Sequence, residues 1–282
     1  MCEVPGWGPM PPVESVLRDM RSLGFQGTEL GAPGFLPDEP DRLRALLDLH
    51  GLRLVGSFVA LPLLDATPEW ARSLVAPACG LLAALGADVL IGALVQDMDW
   101  SPPRRPSAAQ WRTLDMSLKA VAAACEERNL RFAVHPHWGS VLERAEEIEL
   151  ALERLDVDWC LDTGHLLIAG LDPAGFAERC GERIAHVHLK DVDAGVALRL
   201  REGELSLLAA VRAGLFRPLG RGDANIEAVL DALDVAGYDG WLVIEQDSAP
   251  DVQDADGRIV DDIRESIEFL RESRTTKEEV KP

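Results

Sequence analysis

Five of the chain's six histidines fall in three short stretches, VHPHWGS (134–140), LDTGH (161–165) and AHVHLKD (185–191), and a fourth stretch, VIEQD (243–247), ends in acids. Imidazole and carboxylate are the side chains that ligate divalent metals and move protons near neutral pH. In a strand, residues i and i+2 share a face, so His135 and His137 point the same way, as do His186, His188 and Lys190. One histidine at a strand end is an ordinary hydrogen-bonded residue. Four stretches that each offer a ligand are a different matter, and His135, Asp162, His188 and Glu245 make a mixed N and O donor set suited to Mn²⁺, Zn²⁺, Co²⁺ or Fe²⁺ rather than Ca²⁺. Which of His135 and His137 is the ligand stays open at this stage. His137, His165 and Lys190 are candidates for proton transfer. For His165 the alternative is to orient Asp162, and for Lys190 to pair with Asp191.

Short apolar runs alternate with amphipathic helical segments along the whole chain. The expected strands are EVPGWG (3–8), GTELG, RLVGSFVAL, DVLIGALV, RFAVHPH, VDWCLDTGH, IAHVHLKD and GWLVIEQD. Eight strand–helix units in about 250 residues predict an α/β protein, a single (β/α)8 TIM barrel, with the catalytic domain over 1–273 and a charged tail over 274–282. In that fold the C-terminal ends of the strands converge on one mouth, where all four polar stretches are expected. No glycine-rich phosphate loop of the GxGxxG or GxxxxGK[ST] kind follows any strand, which removes the main support for a nucleotide-binding sheet.

The 282 residues are 47% hydrophobic, enough for a large core. With 48 acidic and 28 basic residues the net charge is -20, which repels nucleic acid and anionic membrane surfaces. The first residues lack a signal-peptide pattern and no apolar run reaches membrane-spanning length, so a cytoplasmic protein is expected. Five scattered cysteines without a CxxC pair fit buried thiols in a reducing compartment.

CLDTGHLLIAGLDP, RIAHVHLKDV and GYDGWLVIEQD resemble the hallmark segments of the sugar phosphate isomerase/epimerase superfamily, the xylose isomerase-like TIM barrels, over nearly the whole chain. Within it, GWG, HPHWGS and AVRAGLFRPLGRGDANIEAVLDAL are similar to inosose dehydratases, which act on 2-keto-myo-inositol. The resemblance implies one divalent metal, Mn²⁺ or Co²⁺ ahead of Zn²⁺, Fe²⁺ or Mg²⁺, with the family's aspartate on Asp162, its histidine on His188 and its last glutamate on Glu245. Where many epimerases of the superfamily place a metal-binding, acid/base glutamate, this chain has His135. That departure argues against a two-glutamate mechanism, because an imidazole nitrogen bound to a metal cannot also take a proton. A second departure is GRGD followed by Ala224, which points to a different substrate loop. Glu29 in GTEL resembles the superfamily's G-x-E segment, in a role toward substrate hydroxyls or as a structural hydrogen bond. Trp7 and Trp138 could stack on a ring or cover the core, and Arg217 could meet a substrate group or stand solvated in its loop.

A cation chelating a ketone and a neighbouring hydroxyl makes the α proton acidic and stabilises an enediolate. The enediolate leaves by epimerisation, isomerisation or loss of a β-hydroxyl, so the expected activity is an inosose dehydratase-like lyase, with a ketose 3-epimerase or sugar isomerase as the alternative. An apurinic endonuclease would need further histidines on early strands and a DNA-binding surface. A phosphosugar enzyme would want a stronger phosphate grip than GRGD offers, which favours an unphosphorylated sugar or cyclitol substrate. A non-catalytic metal-containing binding barrel is the rival from another class. Apolar helix faces of this fold can serve a homodimer, and no stretch of the sequence marks such a face.

Overall fold

The structure, a computed structural model, describes residues 10–249 and 255–280. It comprises two compact units, Pro11–Leu161 with Glu182–Val187, and Asp162–Gly181 with the described residues from His188 onward.

In the first unit strands and helices alternate. The order is α1 (Val13–Leu23), β1 (Gly27–Glu29), α2 (Pro40–His50), β2 (Arg53–Leu61), α3 (Pro68–Leu85), β3 (Val89–Leu94), α4 (Ala108–Glu126), β4 (Arg131–Val134), α5 (Ala145–Arg154), β5 (Asp158–Asp162) and, after an excursion through the second unit, β6 (Ile184–Leu189). The strands are hydrogen-bonded in that sequence, and the pairs from β1 through β5 are parallel. All six residues of β3 are buried, as a strand covered on both faces requires, and its apolar run VLIGAL follows from that. Gly92 in this strand is a packing necessity. A Cβ there would stand 2.4 Å from Leu61 Cδ1 and 2.9 Å from Phe132 Cε2. Ser107 and Gln110 close a reciprocal capping box that starts α4 after the long β3–α4 connection.

The second unit holds α6 (Thr163–Ala169), α7 (Pro173–Cys180), β7 (Asp191–Val192), α8 (Ala194–Arg201), α9 (Leu207–Arg212), β8 (Phe216–Arg217), α10 (Ile226–Val235), β9 (Leu242–Ile244) and α11 (Ala255–Val280). β7 and β8 form a small antiparallel pair. The Glu245 amide donates to the Leu189 carbonyl at 3.0 Å, which fixes the end of β9 against the end of β6. Helix α11 takes in most of the charged tail.

Seven of the eight expected strands are present, and the first, EVPGWG, lies outside the described residues. Three elements depart from the sequence reading. His165 belongs to α6 and not to a strand end, because the Asp162 carboxylate accepts the His165 amide at 2.7 Å as an N-cap and turns the chain directly from strand to helix. Helix α8 and the β7–β8 pair were not anticipated: the segment is short, and its start depends on Asp193 capping the Val196 amide. Among the described residues no helix is long and apolar enough to cross a membrane.

Candidate active site

In the second unit the ends of β5, β6 and β9 bring Asp162, His188 and Glu245 together. His188 Nδ1 lies 3.6 Å from Asp162 Oδ2 and 3.5 Å from Glu245 Oε1. One donor atom from each of the three lies within 4.8 Å of the other two. Donors bound about 2.1 Å from a common ion stand roughly 3 to 3.5 Å apart, so the two separations about His188 lie close to those of a coordination shell. Asp162 and His188 are almost fully buried and Glu245 is half-buried. The oxygens facing away from the cluster are committed elsewhere. Asp162 Oδ1 accepts the His165 amide, and Glu245 Oε2 meets Lys190 Nζ at 2.7 Å. Each carboxylate is thus turned by a second contact so that its other oxygen faces the group, as expected where ligands are oriented by outer partners.

Lys190 is the cation of this cluster. Its ammonium is 2.7 Å from Glu245, 3.0 Å from Asp247 and 3.8 Å from Asp162, and only 2% of the residue is exposed. Burial alone would push its pKa down, but Asp247, Glu245 and Asp162 together outweigh that and hold it well above the ordinary lysine value. The lysine is therefore charged. Three carboxylates against one ammonium leave the cluster two negative charges in excess, the charge of one divalent cation. His165 Nε2 lies 3.5 Å from the ammonium.

The motif DTGH is built around that lysine. Thr163 Oγ1 donates to the Lys190 carbonyl and accepts the Lys190 amide, at 2.7 and 2.8 Å. A Cβ on Gly164 would stand 2.8 to 3.0 Å from three carbons of the lysine stem, so the absence of a side chain there makes its path. Asp191, the sequence candidate for Lys190's partner, faces elsewhere: its carboxylate accepts the amides of Gly220, Gly222 and Ala224 at 2.9 to 3.0 Å. The glycine-rich GRGD turn is thereby wrapped on an acid of the chain itself. Arg217 pairs with Asp193 at 3.2 Å.

In the first unit His135 and His137 follow β4. Their rings stand 5.4 Å apart, and Phe58 and Trp100 pack on them with centroid separations of 5.2 to 5.7 Å. His137 Nδ1 is 2.6 Å from the Trp138 carbonyl. A carbonyl only accepts, so Nδ1 carries the proton and in the neutral ring Nε2 holds the basic lone pair. Glu29 and His186 make a second pair, Oε1 to Nε2 at 2.7 Å. Trp138 is half-buried, with Arg144 5.9 Å over its ring. Trp7 lies outside the described residues.

Thr163, Gly164, Phe58 and Trp100 escaped the sequence reading of the site, and Asp247 was placed at the end of its strand without a role. Phe58 was legible in principle from the two-residue period of β2. Trp100 was not, because it sits in the 95–107 connection at φ 55°, a conformation set by Asp97 accepting the Asp99 and Ser101 amides.

The model of the xylose isomerase-like TIM barrel family matches residues 17–273. The rhizopine catabolism protein MocC of Rhizobium meliloti is 32% identical over 257 residues, covering 88% of this chain and 78% of that protein. The inosose dehydratase of Geobacillus kaustophilus is 30% identical over 272 residues, covering 89% and 85%. Among solved structures, an L-ribulose 3-epimerase superposes with a TM-score of 0.68 at 18% identity, covering 96% of this chain and 92% of that one. A probable 3-DHS dehydratase of Bacillus anthracis gives 0.69 at 14% identity, covering 96% and 97%. The strand-end carboxylates and imidazoles, the alternating α/β order and these matches lead to one statement: the chain is an enzyme and belongs to the xylose isomerase-like TIM barrel family.

Proposed function

We propose that the protein is a metal-dependent lyase that removes water from a keto-cyclitol of the inosose type, with Asp162, His188 and Glu245 holding the ion. The observation that carries this reading is the convergence of one oxygen or nitrogen from each of Asp162, His188 and Glu245 within 4.8 Å. When bound, a divalent cation such as Mn²⁺ or Co²⁺ supplies Lewis acidity toward a substrate ketone.

The chain's own residues supply the rest. His137, its tautomer set by the Trp138 carbonyl, removes the α proton through Nε2. Lys190, charged and braced by Asp247, stabilises developing negative charge and donates toward the departing hydroxyl. His165 Nε2 accepts from the Lys190 ammonium and helps to orient it. Glu29, oriented by His186, receives substrate hydroxyls. Phe58, Trp100 and Trp138 offer flat apolar walls to the C–H face of a ring. The wrapped GRGD turn supports an unphosphorylated substrate, since its amides already serve Asp191.

Elemental analysis of purified protein, with deuterium wash-in from D₂O into inososes and ketohexoses, tests the reading. One equivalent of metal, metal-dependent exchange and a product lighter by one water are the expected result. Exchange without loss of water would replace the lyase by an epimerase or isomerase. Neither metal nor exchange after reconstitution would leave a binding barrel.

A further inference from the structure

Helices α3 and α4 carry a second reactive pair, unconnected with the reading above. Cys79 and Cys125 are 46 residues apart in sequence, both fully buried, and their sulfurs are 3.6 Å apart in an S–H···S contact. We infer that Cys79 and Cys125 are an oxidation-sensitive dithiol site that closes to a disulfide between α3 and α4.

Two further contacts tie the helices together. Arg72 bridges to Glu127 at 2.7 Å, and the Ser117 hydroxyl donates to the Ala66 carbonyl at 3.0 Å. A disulfide bond is about 2.05 Å long, so the sulfurs need to approach by roughly 1.5 Å. The two thiols are also unlike. The hydrogen bond from Cys125, despite the opposing effect of burial and with help from the Arg128 charge, holds the Cys79 thiol below its ordinary pKa. The same contact and burial push Cys125 up. Cys79 is the attacking sulfur and Cys125 its proton-bearing neighbour.

An entry route for the oxidant lies beside Cys79. Pro77, inside α3, has no N–H to complete the helix ladder. Gly80 is exposed, and a Cβ there would meet nothing within 4 Å. A proline two residues before and a glycine one residue after make this turn the weakest of α3, and its local opening uncovers Cys79 without unfolding the unit.

With hydrogen peroxide the chemistry balances. The Cys79 thiolate attacks the O–O bond, keeps one oxygen as a sulfenic acid and releases the other as water after protonation. The Cys125 sulfur then attacks the Cys79 sulfur, the S–O bond breaks and a second water leaves. The two thiols have lost two electrons and two protons in all, and the peroxide has gained both.

The test is non-reducing peptide mapping by mass spectrometry of the folded, full-length protein after a timed peroxide pulse and an alkylating quench. Cys160, buried on β5 among Val89, Ile91 and Ala133, is the internal reference for thiols reached only by larger openings. The expected result is one linked peptide pair, Cys79 with Cys125, lighter by two hydrogens, reversed by dithiothreitol and formed at least tenfold faster than Cys160 reacts. Reaction of Cys79 no faster than Cys160, a different pairing, or over-oxidation of Cys79 without a link would overturn the inference. Pro77→Ala, which restores the missing N–H, should slow the link several-fold while leaving its identity unchanged. An unchanged rate would overturn the route through the weakened turn. Cys125→Ser, whose hydroxyl keeps a donor to Cys79 but cannot close the link, should leave Cys79 as a sulfenic acid that dimedone captures, and failure to capture it would refute Cys79 as the attacking sulfur.

Discussion

Lys190 is placed where a small displacement matters, since its stem passes over Gly164 and its ammonium spans Glu245, Asp247 and Asp162. Gly164→Ala puts a methyl group into that stem. Overpacking of this kind costs about 1–3 kcal/mol when the neighbour cannot move. The expected outcome is a fall in kcat of tenfold or more with modest loss of stability, checked by steady-state kinetics beside thermal melts. Asp162→Asn and Glu245→Gln keep shape and remove charge at the proposed ligands. Each is expected to weaken Mn²⁺ or Co²⁺ binding by about a hundredfold, read by calorimetric titration of metal-free protein, and binding unchanged in both variants would refute the ligand assignment. At this scale the sequence was informative about donors and silent about their orientation. The convergence of Asp162, His188 and Glu245 was legible because all three stand at strand ends. Lys190's true partner was not, because Asp191 is adjacent in sequence while Asp247 is 57 residues away.

The elements that carry these residues depend on local devices that can be tested singly. Asp193 starts α8 by accepting the Val196 amide at 3.0 Å and also holds Arg217. The Val196 amide, against the opposing effect of burial and with help from the Arg217 guanidinium, holds its carboxyl below the ordinary aspartate pKa. A depressed folded-state pKa means that the stabilisation is present above the unfolded value, about 3.9, and is lost as pH falls through the folded one. Asp193→Ala is expected to cost about 1 kcal/mol at pH 7, with the difference from the parent shrinking below pH 4 in urea titrations at both pH values. In β3, Gly92→Ala meets Leu61 and Phe132 in a strand buried throughout. Destabilisation of about 2 kcal/mol is expected, within the range for overpacked cores. The long strands were legible from their apolar runs. Helix α6 was not, because its start lies inside a strand's own polar terminus and depends on one N-cap hydrogen bond.

Across the whole chain the net charge of -20 sets the response to the medium. Like charges on a compact body repel, and salt screens them over roughly 8–10 Å at physiological strength. Raising NaCl from about 10 to 150 mM is expected to lift the melting temperature by a few degrees, a trend opposite to that of a protein stabilised by its surface ion pairs. The alternation of strand and helix was readable over most of the described residues because each strand–helix unit repeats the same period change. The β7–β8 pair and the GRGD turn were not readable, since they depend on Asp191 meeting amides about thirty residues further on. That carboxylate has a consequence for ligand recognition. A loop whose three amides already close on an internal anion is preorganised, so its ordering entropy is met during folding and does not weaken substrate affinity. The 219–224 segment should therefore superpose in crystals grown with and without substrate.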